Sequence, residues 1–104
     1  MKLLTKAIKD KLPDLRGQAD KGKDAIAHVK FFHPCSNWTW YATEFDGEDT
    51  FFGLVEGFET ELGYFSLSEL NSVKGPMGLG IERDKFWEPK ALKEVNPEFF
   101  KSWE

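Results

Sequence analysis

Ala25-Ile26-Ala27-His28-Val29-Lys30-Phe31-Phe32 opens the part of the chain that decides the fold. Its β-branched and aromatic residues predict a strand, which ends near His33-Pro34 because proline brings no amide to a ladder. A second strand is expected from Asn37 to Phe45, which is rich in Trp, Thr and Tyr. Asp46-Gly47-Glu48-Asp49 has the composition of a hairpin turn. Phe51 to Glu56 reads as a third strand, a turn follows around Gly57, and Leu62 to Ser66 reads as a fourth. Connections this short make successive strands antiparallel neighbours, a four-stranded meander. Strict alternation puts Trp38 and Trp40 on one face and Tyr41 and Phe45 on the other. Apolar residues on both faces leave two readings open: a sheet covered on both sides, or aromatics exposed for a partner.

On the N-terminal side, Thr5 precedes Lys6-Ala7-Ile8-Lys9-Asp10-Lys11-Leu12 and Pro13 follows. A Thr cap, apolar positions at Leu4, Ile8 and Leu12, and a terminal Pro predict a short amphipathic helix. Residues 14–25, with Gly17 and Gly22 among charges, read as a long loop. Beyond the sheet, Ser66-Leu67-Ser68-Glu69 has capping-box spacing and predicts a helix to about Val73, stopping at Gly75-Pro76. Gly75, Gly78 and Gly80 mark a turn-rich loop up to Ile81. Pro89 suits the first turn of a helix through Val95, and Pro97 does the same for Glu98 to Trp103. The expectation is an α+β fold in a single domain over 1–104. Residues 1–24 are helix and charged loop, 25–66 the sheet, and 67–104 short helices and the Gly/Pro loop, with the helices on one face.

The 104 residues suffice for one core, since a domain of this size buries roughly two-thirds of its unfolded surface. An aromatic content of 15% excludes a disordered chain. No apolar run approaches the ~18 residues of a membrane span, and Met1-Lys2-Leu3-Leu4-Thr5-Lys6 turns charged too early for a secretory signal. The lone Cys35 excludes an internal disulfide and fits a reducing, cytoplasmic setting. The net charge of −4 is unevenly spread: residues 31–73 hold eight acids (Glu44, Asp46, Glu48, Asp49, Glu56, Glu59, Glu61 and Glu69) and no Lys or Arg. Such a stretch cannot neutralise phosphates, so no DNA or RNA binding is expected of it, whereas it does present a negative field to a basic partner.

Motifs for chemistry are sparse. His28 and His33 lie five apart, so on one strand they face opposite sides, and one Cys with no paired spacing makes no zinc set. No metal and no cofactor is expected. His33-Pro34-Cys35 places an imidazole near a thiol, but adjacency alone does not make a catalytic pair. Neither Ser36 nor Ser66 sits in a nucleophile-elbow motif. The Gly75, Gly78 and Gly80 loop lacks the Lys-Ser/Thr of a phosphate loop. Beyond it, Arg83 and Lys85 alternate with Glu82 and Asp84.

One run is more specific. Val29-Lys30-Phe31-Phe32-His33-Pro34-Cys35-Ser36-Asn37-Trp38-Thr39-Trp40-Tyr41-Ala42-Thr43-Glu44 resembles the signature of the bacterial domain-of-unknown-function family 2958. Phe52-Gly53-Leu54-Val55-Glu56-Gly57 and Glu61-Leu62-Gly63-Tyr64-Phe65-Ser66-Leu67-Ser68-Glu69-Leu70 follow in order. Gly75-Pro76, Gly78-Leu79, Ile81-Glu82-Arg83-Asp84 and Trp87-Glu88-Pro89 complete the resemblance, which covers about residues 3–95. Gly80 stands where the pattern has Pro, and residues 96–104 lie outside it. The resemblance implies a small protein carried by plasmids, phages and integrative elements, with no assigned catalytic residues. Small acidic cargo of that kind implies anti-restriction or anti-CRISPR action.

Two functional readings follow. The first is a non-enzymatic protein-binding module facing a basic, nucleic-acid-handling host protein. Its candidate contact residues are Trp38, Trp40, Tyr41, Glu44, Asp46, Glu48, Asp49, Glu56, Glu59 and Glu61, with the acids steering association and an aromatic anchoring it. The second is a small-molecule or catalytic pocket around Asn37, Trp38, Trp40, Tyr41 and Glu44. An exposed sheet edge would also serve a homo-oligomer. Because His28, His33 and Cys35 do not form a ligand set, thermal melts with and without chelator should coincide. A fall above ~5 °C, about 1 kcal/mol for a domain this size, would contradict that.

Overall fold

The computed structural model describes residues 2–103. The Thr5 hydroxyl accepts from the Ile8 amide at 3.3 Å and opens α1 (Lys6–Lys11), which stops at an extended Leu12. Residues 14–21 form successive turns, and a 3-10 turn follows at Gly22–Asp24. Strands β1 (Ile26–Ala27), β2 (Val29–Phe32), β3 (Thr39–Phe45), β4 (Thr50–Glu56) and β5 (Thr60–Ser66) come next, then α2 (Leu67–Ser72). The chain ends in β6 (Glu82–Arg83), β7 (Lys90–Ala91), α3 (Leu92–Val95) and α4 (Pro97–Phe100).

The architecture is α+β, and the antiparallel meander runs through β2, β3, β4 and β5 as expected. A fifth strand extends it: β6 returns to the free side of β2, pairing Phe31 with Arg83 and Phe32 with Glu82. Two residues inside a Gly/Pro-rich stretch carry no strand periodicity, so this element left no local trace. The expected strand over 25–32 divides at His28. Its amide donates to the Ala42 carbonyl at 2.8 Å, while Ile26 and Ala27 pair with Ala91 and Lys90 in a separate two-stranded sheet.

A β-bulge changes which side chains meet. Ala42 faces Gly53, but Glu44 faces Phe52, so Thr43 is an extra residue in β3. Past it, Phe45 joins the face that carries Ala42, not that of Tyr41 as strict alternation predicts. Gly53 is required here, because a Cβ on it would overlap the Tyr41 carbonyl oxygen.

Helices cover both faces of the sheet, not one. On the first, Leu3, Leu4, Leu12, Leu70 and Ile81 pack over Val29, Phe31, Phe45, Phe51 and Phe65. Phe51 lies at the centre, 4.4 Å from the Phe45 ring and 5.2 Å from the Phe65 ring. On the second, Leu92 and Phe100 close over Ala25, Ala27, Tyr41 and Leu54. Pro89 precedes β7 and not a helix, α3 opens after Ala91, and α4 ends at Phe100 rather than Trp103. Pro97 does take the first helical position, after an Asn96 cap that accepts from the Phe99 amide at 3.0 Å. No helix among the described residues is long and apolar enough to cross a membrane.

The start of α2 is held twice. Ser66 Oγ accepts from the Glu69 amide at 3.1 Å and donates to Glu69 Oε1 at 2.8 Å. Asp49 accepts from the Ser68 amide and hydroxyl, both at 2.8 Å. Ser66→Ala should therefore cost about 1 kcal/mol in urea unfolding. Gly53→Ala should cost more, at or above the ~1–3 kcal/mol typical of overpacking, because backbone must move.

Candidate functional site

The ten candidate contact residues separate into structural ties and free surface. Glu44 is 4% exposed, with Oε1 accepting from the Arg16 amide at 2.6 Å and Oε2 from the Gln18 amide at 2.9 Å. Gln18, itself buried, bonds Ile26 and the Thr43 carbonyl, so the 14–24 segment is fastened across β3. Asp46 Oδ1 accepts from the Glu48, Asp49 and Thr50 amides at 2.8, 2.9 and 3.1 Å. Those amides hold its carboxyl below the usual carboxylate range. Asp49 holds α2, so neutralising it together with Asp46 disturbs the fold as well as the charge. Glu56 accepts from the Asn96 side chain at 2.8 Å, and the Tyr41 hydroxyl points to the same carboxylate at 3.4 Å. Burial first, then the Glu56 charge, push the Tyr41 phenol up to about 12.

The remaining candidates lie at two ends of the sheet. Glu48 is exposed at the β3–β4 turn; Glu59 and Glu61 are exposed at the β4–β5 turn. The seven residues of β4 separate these turns by roughly 20 Å, so the acids do not form one face. At the Glu59 end, Trp38 and Trp40 rings stand 5.8 Å apart, and Phe58 meets Trp38 edge-on at 5.3 Å. The Trp38 ring lies against Gly57, where a Cβ would strike it. Phe58 is 95% exposed, at the tip of the turn. Strand periodicity carries no mark of it, although a Phe between Gly57 and Glu59 at a hairpin tip is itself a signal of an exposed apolar group.

Behind these rings a groove of about 300 Å³ runs between β5 and α2. Trp38, Trp40, Val55 and Val73 line it, Glu61 and Glu69 supply carboxylates, and no cation is among its lining residues. The pocket expected around Asn37, Trp38, Trp40, Tyr41 and Glu44 does not assemble. Tyr41 and Trp40, adjacent in β3, face opposite sides, Asn37 is exposed, and Glu44 lines a separate cavity with Arg16 and Trp103.

His33 Nδ1 accepts from the Cys35 amide at 3.0 Å, and Cys35 is exposed. Arg83 donates to the Leu3 carbonyl at 3.1 Å and so fastens the N-terminal segment. Among the described residues, no group of three or more His, Cys, Asp or Glu is placed to hold a metal ion. His28 is half-buried in a cavity lined also by Lys11, Lys85 and Trp87. Burial, then Lys21 and Lys11, depress its pKa below 6.5. A depressed histidine leaves the unfolded chain the better proton acceptor, so its contribution is full above about pH 6.5 and is lost as pH falls through the folded value. Melting temperature should drop on acidification below pH 6.5, and His28→Gln should flatten that drop.

A family model described as Protein of unknown function (DUF2958) matches residues 3–94. No curated protein and no solved structure matches the chain.

Proposed function

We propose that this chain, which belongs to the DUF2958 family, is a non-enzymatic protein-binding module whose groove between β5 and α2 receives a basic protein. The observation that carries the reading is the groove itself: indole walls, two carboxylates and no cation. That chemistry suits a Lys or Arg side chain, which gains cation–π contact with Trp38 and Trp40 and charge pairing with Glu61 and Glu69. Phe58, exposed beside the groove, offers the partner an apolar anchor. Glu59 adds to a field that draws in basic surfaces and repels nucleic acid.

The finer part of the proposal is that the partner is a nucleic-acid-handling component of a host defence system met in the cytoplasm. The protein then acts as an anti-restriction or anti-CRISPR inhibitor carried by a phage, plasmid or other mobile element. Its support is the mobile-element setting implied by the family resemblance, together with a central segment holding eight acids and no cation.

The test uses a fluorescent peptide rich in Lys and Arg, and partners cross-linked in the host cell. Phe58→Ala and Glu61→Gln should each weaken binding about tenfold or more, as removal of a hot-spot contact does. Glu48→Gln, at the far end of β4, should leave binding unchanged. Association should slow as salt screens the charges over about 8 Å. Equal loss from all three variants, or tight salt-sensitive binding of duplex DNA, would overturn the reading.

A further inference from the structure

On the opposite face of the sheet, a cavity of about 220 Å³ opens between the 14–24 segment and the C-terminal residues. Its floor is the row Tyr64–Phe52–Glu44 across β5, β4 and β3, with the Phe52 and Tyr64 rings edge-on at 5.0 Å. Arg16 and Gln18 stand on one side, Leu92 and Trp103 on the other. The two sides are tied together: Lys23 Nζ donates to the Trp103 carbonyl at 2.9 Å, and Lys93 pairs with Asp24 at 2.7 Å. Leu92 lies within the residues that the family model matches and Trp103 beyond them, so the Trp103 part of this wall is an addition to the matched region.

Two charges of opposite sign define the cavity. Glu44 is buried and receives two backbone amides, one on each oxygen, and among the described residues no ion pair reaches it. A carboxylate oxygen has capacity for more than one donor, so acceptor sites remain. Arg16 holds a φ of 71°, a left-handed conformation rare for a bulky residue, and this aims its amide at Glu44. Arg16 is exposed, is among the residues lining the cavity and makes no ion pair among the described residues. Between the charges lie aromatic and aliphatic walls. The volume falls below the roughly 300–1,000 Å³ that drug-sized ligands occupy.

We infer that this cavity binds a free α-amino acid with an apolar side chain. The ammonium donates to Glu44, the carboxylate takes the Arg16 fork, and the side chain rests on Phe52, Tyr64, Leu92 and Trp103. A lone organic cation would face Arg16, and a lone carboxylate would face Glu44; a zwitterion satisfies both.

The experiment is an amide-detected NMR titration of the full chain with L-leucine and L-phenylalanine, beside their N-acetyl and carboxamide forms. A single ion-paired small molecule should saturate at a Kd of about 0.1–1 mM. Blocking either end of the amino acid should weaken binding about tenfold or more. Glu44→Gln loosens the 14–24 segment, so the ligand derivatives and two surface variants carry the test. Arg16→Ala should weaken the free acid while leaving the carboxamide unchanged, and Trp103→Ala should weaken both. No saturable shift around Phe52 and Tyr64, equal binding of the N-acetyl form, or an Arg16→Ala effect shared by acid and carboxamide would each overturn the proposal.

Discussion

Thr43 enters β3 without a partner in β4, and that one inserted residue sets the two faces of the sheet. Its hydroxyl donates to the Phe52 carbonyl at 3.1 Å, while its own carbonyl takes the Gln18 side-chain amide at 2.8 Å. The bulge sends Phe45 toward Phe51 and turns Glu44 to the opposite side, where it collects the Arg16 and Gln18 amides. An orphan carbonyl, a buried carboxylate and an otherwise loose segment thereby satisfy one another. Without the bulge, Phe45 and Glu44 would exchange faces, placing a charge among the Phe rings.

The parts of this fold that were legible in the sequence are those whose causes are local. The Thr5 and Ser66 caps, the Asp46-Gly47 turn and the three long strands β3, β4 and β5 each depend on residues within a few positions of one another. What was not legible depends on distant contacts. Glu44 reads as a strand acid of solvent type until Gln18 and Arg16 are brought over it from 26 and 28 residues away. Glu56 reads the same way until Asn96 arrives from 40 residues away. Strand β6 exists because the edge of β2 has open hydrogen-bonding groups, not because Glu82 and Arg83 prefer to be extended.

The same distinction divides the acids. Asp46, Asp49, Glu44 and Glu56 spend their lone pairs on amides and hydroxyls of the chain itself, which orients turns and helix starts. Glu48, Glu59 and Glu61 are exposed and carry their charge outward. Composition counts all of these alike, so an acidic total overstates the field that an approaching molecule meets. Hydrogen-bond partners, not residue type, separate architecture from surface.

The two cores also differ in when the chain can supply them. Every buried residue of the first lies between Leu3 and Ile81, while the second needs Leu92 and Phe100. A chain that has supplied residues through Ile81 but not yet Leu92 carries every buried residue of the first core while Tyr41 and Leu54 lack their cover. For that interval the sheet is a one-sided platform with an apolar back, the state in which nascent chains are most prone to stray contacts. Leu92 and Phe100 then act as a closing seal over that back.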